Sequence, residues 1–413
     1  MKYGCIGGRL THSFSREIHA CLDTREYTLC ELAQEELTEF FRKRDFLGIN
    51  VTIPYKEAVI PYLDGIDPEA REIGAVNTIV NRGGRLTGYN TDVYGMRCLA
   101  KSLGIDFTGR KVLVCGTGGT SKTAVYVARS GGAAEVIRLS RTGKEGALSY
   151  EEAYRLHTDA QIIINTTPAG MYPDGIGKAA IDISRFPSLT GVIDAVYNPL
   201  RSALCLSARR RGIPAEGGLL MLVMQGVRAS EIFTGQVYSE EKAGGVYKKL
   251  LSEKENTVLI GMPGCGKSTV GRLLAKISGR EFIDTDEIIC QRLGTDIPTV
   301  FRDMGEPYFR DVESEVIKDV TRVGGRIIST GGGAILREGN VDALRQNGRI
   351  YFIDRPAEEI IPTDDRPLAK SREDIARLMQ QRHGIYISAA DFVIHGGTPE
   401  EIAEKITEES GLL

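Results

Sequence analysis

Thr257-Val258-Leu259-Ile260 runs straight into Gly261-Met262-Pro263-Gly264-Cys265-Gly266-Lys267-Ser268-Thr269, and no other stretch constrains the fold so tightly. The four β-branched or apolar residues predict a short buried strand. Gly261 to Ser268 fits G-x-x-x-x-G-K-[ST], in which glycines let backbone N–H groups turn onto phosphate oxygens. Val270 to Lys276 then predicts a helix, whose N-terminus adds partial positive charge. In this pattern Lys267 reaches the β- and γ-phosphates, Ser268 ligates Mg²⁺, and Gly264, Gly266 and Thr269 line the nucleotide. Cys265 stands at a variable place in the loop and reads as part of its lining, not as a nucleophile. Strand, loop and helix in this order make the chain an α/β protein.

The length of 413 residues predicts two or three domains, at roughly 100–200 residues each. A net charge of −3 gives no sign of a nucleic-acid or anionic-membrane partner, and the run Arg209-Arg210-Arg211 reads as a solvated helix end. Met1-Lys2-Tyr3-Gly4 enters a strand directly, and no apolar run is long enough to span a bilayer. The eight cysteines are scattered with no C-x-x-C pair, as expected of reduced thiols in a cytoplasm. The partners expected are small molecules.

The first half of the chain carries its polar residues at strand ends. Lys2 to Ile6 predicts a strand, followed by Ser13 and Ser15 just before a helix, where two hydroxyls either cap the helix or face a polar ligand. The strand Gly48 to Pro54 ends beside Lys56, the strand Ala75 to Val80 carries Asn77, and Asp92 sits at a strand-to-helix turn. Taken singly, these are a surface lysine, an amide and a helix cap. Together, a Lys, an Asp, amides and hydroxyls at the ligand-binding edge of an α/β sheet suit a polyhydroxylated acid, with Lys56 and Asp92 for proton transfer.

A second phosphate-binding signal follows. The strand Lys111 to Cys115 leads into Gly116-Thr117-Gly118-Gly119-Thr120-Ser121 and a helix from Lys122 to Arg129, a dinucleotide fingerprint with Ser121 in the third glycine's place. The next strand, Glu135 to Leu139, ends in Ser140-Arg141-Thr142 with Lys144 nearby, where NAD enzymes place an acid. A guanidinium, hydroxyls and an ammonium there suit a 2′-phosphate, so the cofactor predicted is NADP rather than NAD. Ile162 to Asn165 and Val192 to Ala195 predict further strands. An apolar helix with Gln225 embedded follows Gly217-Gly218, a last helix covers Ser239 to Ser252, and Glu253 to Asn256 is the only linker before the phosphate loop. Beyond that loop, Phe282 to Asp286 predicts a strand whose two acids, Asp284 and Asp286, alternate onto one face. Arg310 and Glu313 stand one helical turn apart and are placed to pair. The strand Ile327 to Thr330 ends in Gly331-Gly332-Gly333, Arg366 lies in a lid-like loop, and Arg382 ends a helix.

H-S-x-S at 12–15, N-V-T-I-P-Y-K at 50–56, A-V-N-T at 75–78, N-T-D at 90–92, G-x-G-G at 116–119 and the helix at 219–225 resemble shikimate dehydrogenase, in the family's order. The resemblance implies an α/β substrate domain, about 1–95 plus 217–252, around a Rossmann NADP domain at about 96–216. It implies reduction of 3-dehydroshikimate to shikimate, Lys56 and Asp92 as the acid–base pair, and Ser13, Ser15, Thr52, Asn77, Tyr197 and Gln225 as substrate contacts. Gly218 joins the cofactor side. G-M-P-G-C-G-K-S-T, D-T-D at 284–286, F-R-x-x-G-E-x-x-F-R-x-x-E, S-T-G-G-G and D-R-P-L resemble shikimate kinase over about 255–413. That implies a three-layer P-loop kinase using ATP and Mg²⁺. It places Ser268 and Asp284 at the metal, Asp286 on the accepting hydroxyl, Arg310, Gly332 and Arg382 on shikimate, and Arg366 over the transferring phosphate. Here the family's adenine-facing Arg is missing from 359–363, and Gly397 stands where a second is usual. The expectation is a bifunctional enzyme. The alternatives are a dehydrogenase of broader range that also takes quinate, and a P-loop binding or regulatory module. No N-K-x-D of a GTP switch follows the loop, and Lys56, Asp92, Lys267 and Asp286 are all present.

Overall fold

The computed structural model describes residues 1–410 except Arg9, Thr11, His12, Arg25, Lys144, Glu145, Asp174, Ile176, 362–367 and Lys370. The chain divides into two compact units, Met1–Leu250 and Leu251–Leu413. No free linker joins them. The helix Glu240–Lys254 carries the chain to within one residue of the strand that opens at Asn256.

The first unit holds two sheets. One is built from β1 (Tyr3–Gly7), β2 (Tyr27–Glu31), β3 (Gly48–Val51), β4 (Gly65–Ile66), β5 (Thr78–Arg82) and β6 (Arg85–Tyr89). Its order is β2-β1-β3-β5-β6-β4, with β5 antiparallel to both neighbours. The strand expected at 75–80 thus starts later, at Thr78. Before it, Val76 N donates to Lys56 O at 2.7 Å, which fastens the stretch to the turn that carries the lysine. The other sheet comprises β7 (Lys111–Cys115), β8 (Glu135–Leu139), β9 (Ile162–Asn165), β10 (Gly191–Asp194) and β11 (Ala215–Glu216). Its order β11-β10-β9-β7-β8, all parallel, is that of a doubly wound nucleotide-binding fold with the switch beside β7. Runs such as Ile162-Ile163-Ile164 are buried on both faces, as a parallel sheet covered by helices requires.

The helix Leu219–Thr234 returns to the first sheet after the second is complete. It packs on the helix Asp92–Ser102, where Gly95 lies so near Met221 O that a Cβ would collide with it.

The second unit contains β12 (Asn256–Ile260), β13 (Phe282–Asp284), β14 (Ile327–Ser329), β15 (Gly348–Asp354) and β16 (Phe392–His395), in the order β13-β14-β12-β15-β16, all parallel. One apolar cluster from Val258 to Ile406 fills the space between this sheet and its helices. The phosphate loop leaves β12, the central strand.

Candidate active sites

In the first unit, the end of β3 and the first turn of helix Asp92–Ser102 meet. Lys56 Nζ lies 2.5 Å from Asp92 Oδ2, and both side chains are nearly buried. Asp92 Oδ1 accepts from Asn77 Nδ2 at 2.8 Å, and Asn77 Nδ2 also reaches Gln225 Oε1 at 3.4 Å. Gln225, embedded in its apolar helix, therefore finds the partner that a buried amide needs. Its Nε2 donates to Leu222 O at 2.9 Å. Thr91, from the N-T-D motif at 90–92, completes the ring by donating to Gln225 Oε1 at 3.3 Å.

Ser15 is buried and Ser13 half-buried, and the Ser13 hydroxyl donates to Ser15 Oγ at 3.1 Å. Ser13 Oγ also accepts from Ser15 N, the first N–H of the helix Ser15–Ala20, at 3.3 Å, while Phe14 at the N-cap offers no side-chain cap, so the Ser13 hydroxyl serves the helix start. Phe14 between them meets the Tyr197 ring at 5.3 Å, and burial pushes the Tyr197 phenol up to about 12. Thr52 follows β3, and its methyl borders Gly7.

The dinucleotide turn leaves β7. Gly116 holds φ +117°, a conformation suited to glycine, and a Cβ there would collide with the Thr166 hydroxyl. Ser121 Oγ donates back to Gly116 O at 2.6 Å, so the residue in the third glycine's place ties the turn together. A Cβ on Gly118 would meet nothing, which leaves the turn's outer face open at the N-terminus of the twelve-residue helix Gly119–Ser130. An open face, a helix N-terminus and exposed Arg141 and Thr142 beyond β8 fit a phosphorylated dinucleotide. Ser140 N is held by Leu148 O at 2.9 Å. Gly218 packs against the Ala195 carbonyl and begins the helix Leu219–Thr234. Lys144 and Arg366 lie outside the described residues.

Asp194, at the end of β10, was not anticipated. It is fully buried and accepts from Asn165 Nδ2 at 2.8 Å, Val196 N at 3.0 Å and Ser202 Oγ at 2.5 Å, so it fastens the loop that carries Tyr197. Burial raises its carboxyl to about 6. A group raised on folding stabilises most below its unfolded value and loses that contribution as pH rises through about 6. The displacement corresponds to at most ~3 kcal/mol. Asp194→Asn is expected to flatten this part of the stability profile, so that urea midpoints at pH 4.5 and 7.5 differ less than in the wild type.

In the second unit, Lys267 is buried, with Nζ on Gly261 O at 3.0 Å and Met262 O at 2.9 Å and no carboxylate in ion-pair range among the described residues. Its remaining contact is the Cys265 sulfur at 3.9 Å, and an ammonium with only neutral partners beside a glycine turn fits an anionic ligand. Cys265 is buried in the loop, and Thr269 is exposed. Ser268 Oγ donates to Asp284 Oδ2 at 2.6 Å, a hydroxyl–carboxylate pair of the hard oxygen type that suits Mg²⁺.

The two acids converge, but not by strand alternation. β13 stops at Asp284, which caps the helix Thr285–Leu293 by accepting from Asp286 N at 3.0 Å, so Asp286 already sits in a helical turn. Burial, then Asp284 and Glu313, raise Asp286 to about 7. Asp286 Oδ1 and Glu313 Oε1 are both buried without a hydrogen-bond partner and face bare backbone: a Cβ on Gly331 would lie 2.6 Å from one and 2.9 Å from the other. Arg310 pairs with Glu313 at 2.8 Å, as their spacing predicted, and with Glu306 at 2.9 Å. Arg382 Nη1 donates to Gly332 O at 3.2 Å. It lies within the helix Arg372–Ala389 and not at its end, because the helical pattern continues past it to Tyr386, which also donates to Gly332 O.

On the far side of the phosphate loop, at the ends of β15 and β16, Arg355 Nη2 donates to Gly397 O at 3.1 Å. Asp354 there lies between His383 at 3.2 Å and His395 at 3.1 Å. Sequence reading missed all four of these side chains, which no motif links.

The family model for the shikimate dehydrogenase substrate binding domain matches residues 5–79, and the shikimate kinase model matches residues 263–410. A shikimate dehydrogenase (NADP(+)) from Symbiobacterium thermophilum is 34% identical over 260 residues, 56% of this chain and 88% of that protein. One from Geobacillus kaustophilus is 37% identical over 257 residues, 57% of this chain and 92% of that protein. Among solved structures, shikimate dehydrogenase 1 from Peptoclostridium difficile superposes with a TM-score of 0.56 at 32% identity, covering 60% of this chain and 98% of that one. A chorismate mutase/shikimate 5-dehydrogenase fusion from Clostridium acetobutylicum gives 0.56 at 30%, over 60% and 96%. No helix among the described residues is long and apolar enough to cross a membrane. The chain belongs to the shikimate dehydrogenase family and carries a shikimate kinase domain in its second unit.

Proposed function

We propose that this chain reduces 3-dehydroshikimate to shikimate with NADPH and then phosphorylates shikimate at its 3-hydroxyl with MgATP. The observation that carries this reading is that each unit sets a carboxylate in the first turn of the helix after a strand, beside its own phosphate-binding turn. In the first unit these are Asp92 and the Gly116 turn, and in the second Asp286 and the Gly261 loop.

Bound at the Gly116 turn, NADPH supplies the hydride. Lys56 gives its proton to the carbonyl oxygen that becomes the hydroxyl, and Asp92, 2.5 Å away, keeps the ammonium in place. Asn77, Gln225 and Thr91 present amide and hydroxyl groups to the ring hydroxyls, while Ser13, Ser15, Thr52 and Tyr197 receive the carboxylate end. Arg141 and Thr142, with Ser140, take the 2′-phosphate. Arg141→Asp is expected to lower kcat/KM for NADPH more than for NADH by about ten- to a hundredfold, the worth of one charge-assisted contact. Steady-state rates with both cofactors check it, and a wild type that prefers NADH would overturn the assignment.

In the second unit, MgATP supplies the phosphoryl group, with Ser268 and Asp284 as the metal-side residues. Asp286 accepts the proton of the attacking hydroxyl, Arg310 and Arg382 hold the shikimate carboxylate near Gly332, and Lys267 steadies the transferred group. Arg355 and the ends of β15 and β16 lie on the side left for the nucleoside. The test is one vessel with 3-dehydroshikimate, NADPH and MgATP: shikimate 3-phosphate should appear with NADPH consumed in equal amount. Accumulation of shikimate with no phosphate ester would leave the second unit a binding module. Faster turnover of quinate than of shikimate would favour the broader dehydrogenase.

A further inference from the structure

The first turn of helix Gly119–Ser130 belongs to the dinucleotide fingerprint, and its side chains are expected to serve the cofactor. In the structure they reach elsewhere. Thr120 Oγ1 lies 3.4 Å from Lys56 Nζ. A Cβ on Gly119 would lie 3.2 Å from Lys56 Cβ and 3.4 Å from its Cδ, so the turn's backbone braces the lysine stem. Lys122 pairs with Glu57, the next residue, at 2.6 Å. Thr123 Oγ1 accepts from Asn90 Nδ2 at 3.2 Å, and the same amide donates to Ala75 O at 2.9 Å. Four residues of one helical turn thus hold the segments that carry Lys56, Asn77 and Asp92.

An ammonium has three protons and turns freely about its Cε–Nζ bond. Asp92 takes one of them at 2.5 Å. A single acceptor leaves the other two free to sweep a cone, whereas a second acceptor fixes the rotor and aims the third proton. We propose that Thr120 is a positioning residue for Lys56: its hydroxyl is the second acceptor, and it orients the remaining proton toward the substrate carbonyl while making no contact with the cofactor. This inference rests on Lys56 as the proton-transfer group.

Thr120→Val keeps the shape and removes the hydroxyl, and Thr120→Ser keeps the hydroxyl. With 3-dehydroshikimate and NADPH, Thr120→Val should lower kcat about three- to tenfold, the effect of losing one hydrogen bond. KM and directly titrated affinity for NADPH should stay within about twofold, and Thr120→Ser should restore kcat to within about twofold. In a Lys56→Met background, Thr120→Val should add nothing, because its effect passes through the ammonium. Wild-type kcat in Thr120→Val overturns the proposal. So does weakened NADPH binding, which makes Thr120 a cofactor contact, or equal loss in the Val and Ser variants, which makes it packing. The underlying reading fails separately: if Lys56→Met alone retains wild-type kcat, Lys56 is not the proton donor. If Lys56→Met is inactive and Thr120→Val is normal, only the role of Thr120 falls.

Discussion

Lys56→Met is expected to yield a folded protein that oxidises NADPH with 3-dehydroshikimate about 10²- to 10⁴-fold more slowly than wild type, the usual worth of a general acid. Its phosphorylation of added shikimate should be unchanged. The norleucine-like length of methionine preserves most of the contact with Gly119, and the lysine stands beyond β3 in a turn, so the sheet keeps its register. Asp92 is left without its cation but retains the Asn77 amide at 2.8 Å. Lys267→Met should do the reverse: phosphorylation falls by about 10²–10³, the cost of removing one preorganised electrostatic partner of the transition state, while dehydrogenation is retained. In the coupled reaction shikimate should build up with Lys267→Met and 3-dehydroshikimate with Lys56→Met. Every residue proposed for one reaction lies in one unit, which is why the losses should separate. Circular dichroism verifies folding. A folded single variant that loses both activities would end the modular reading.

Asp286→Asn should abolish most phosphorylation, again by about 10²–10⁴, yet make the protein no less stable above neutral pH. The carboxyl is raised to about 7 by burial and by Asp284 and Glu313. Its contribution to stability is therefore full below the unfolded value near 4 and lost as pH rises through about 7. At pH 8 the native state carries an ionised, poorly solvated group, a penalty of at most ~4 kcal/mol, and asparagine relieves it. The wild-type kcat/KM should fall tenfold per pH below about 7, since only the ionised form accepts the proton. Thermal unfolding at pH 8 and a pH–rate profile test both halves of the statement. A variant that is inactive and also much less stable at pH 8 would make Asp286 a structural residue.

Much of this architecture was legible because its signals are local. A strand, a glycine turn and a helix follow one another within about a dozen residues at 111–121 and again at 257–269, and the backbone geometry of each is set by neighbours in the chain. The pairing of Arg310 with Glu313 follows from helical spacing alone. What escaped is non-local. Asp194 meets Asn165 and Ser202 only once β9 and β10 lie side by side, and no spacing announces that. Strand alternation misled at Asp286 because Asp284 both ends β13 and caps the next helix, so the period changes between the two acids. Helix length misled at Arg382 for the opposite reason, since the apolar residues that continue the helix, Tyr386 among them, are spent on a glycine carbonyl and a stacked Phe352.

The position of Gln225 has a consequence for how the chain is made. Its amide closes the ring around Asn77 and Thr91, residues 148 and 134 positions earlier, and its helix lies against the helix that begins at Asp92. A nascent chain therefore finishes the contiguous sheet of β7 to β11 before the first sheet receives the helix that covers it. At ~5–20 residues per second, the interval between synthesis of Ser102 and of Leu219 is roughly 6–25 s, during which the partner face of the helix Asp92–Ser102 is apolar and bare. Ribosome-bound chains stalled near residue 200 should be cut readily in the first ninety residues by a dilute protease, and chains stalled well past residue 234 should not. The active site of the first unit would then stay open longer than the sheet that is synthesised after its first half.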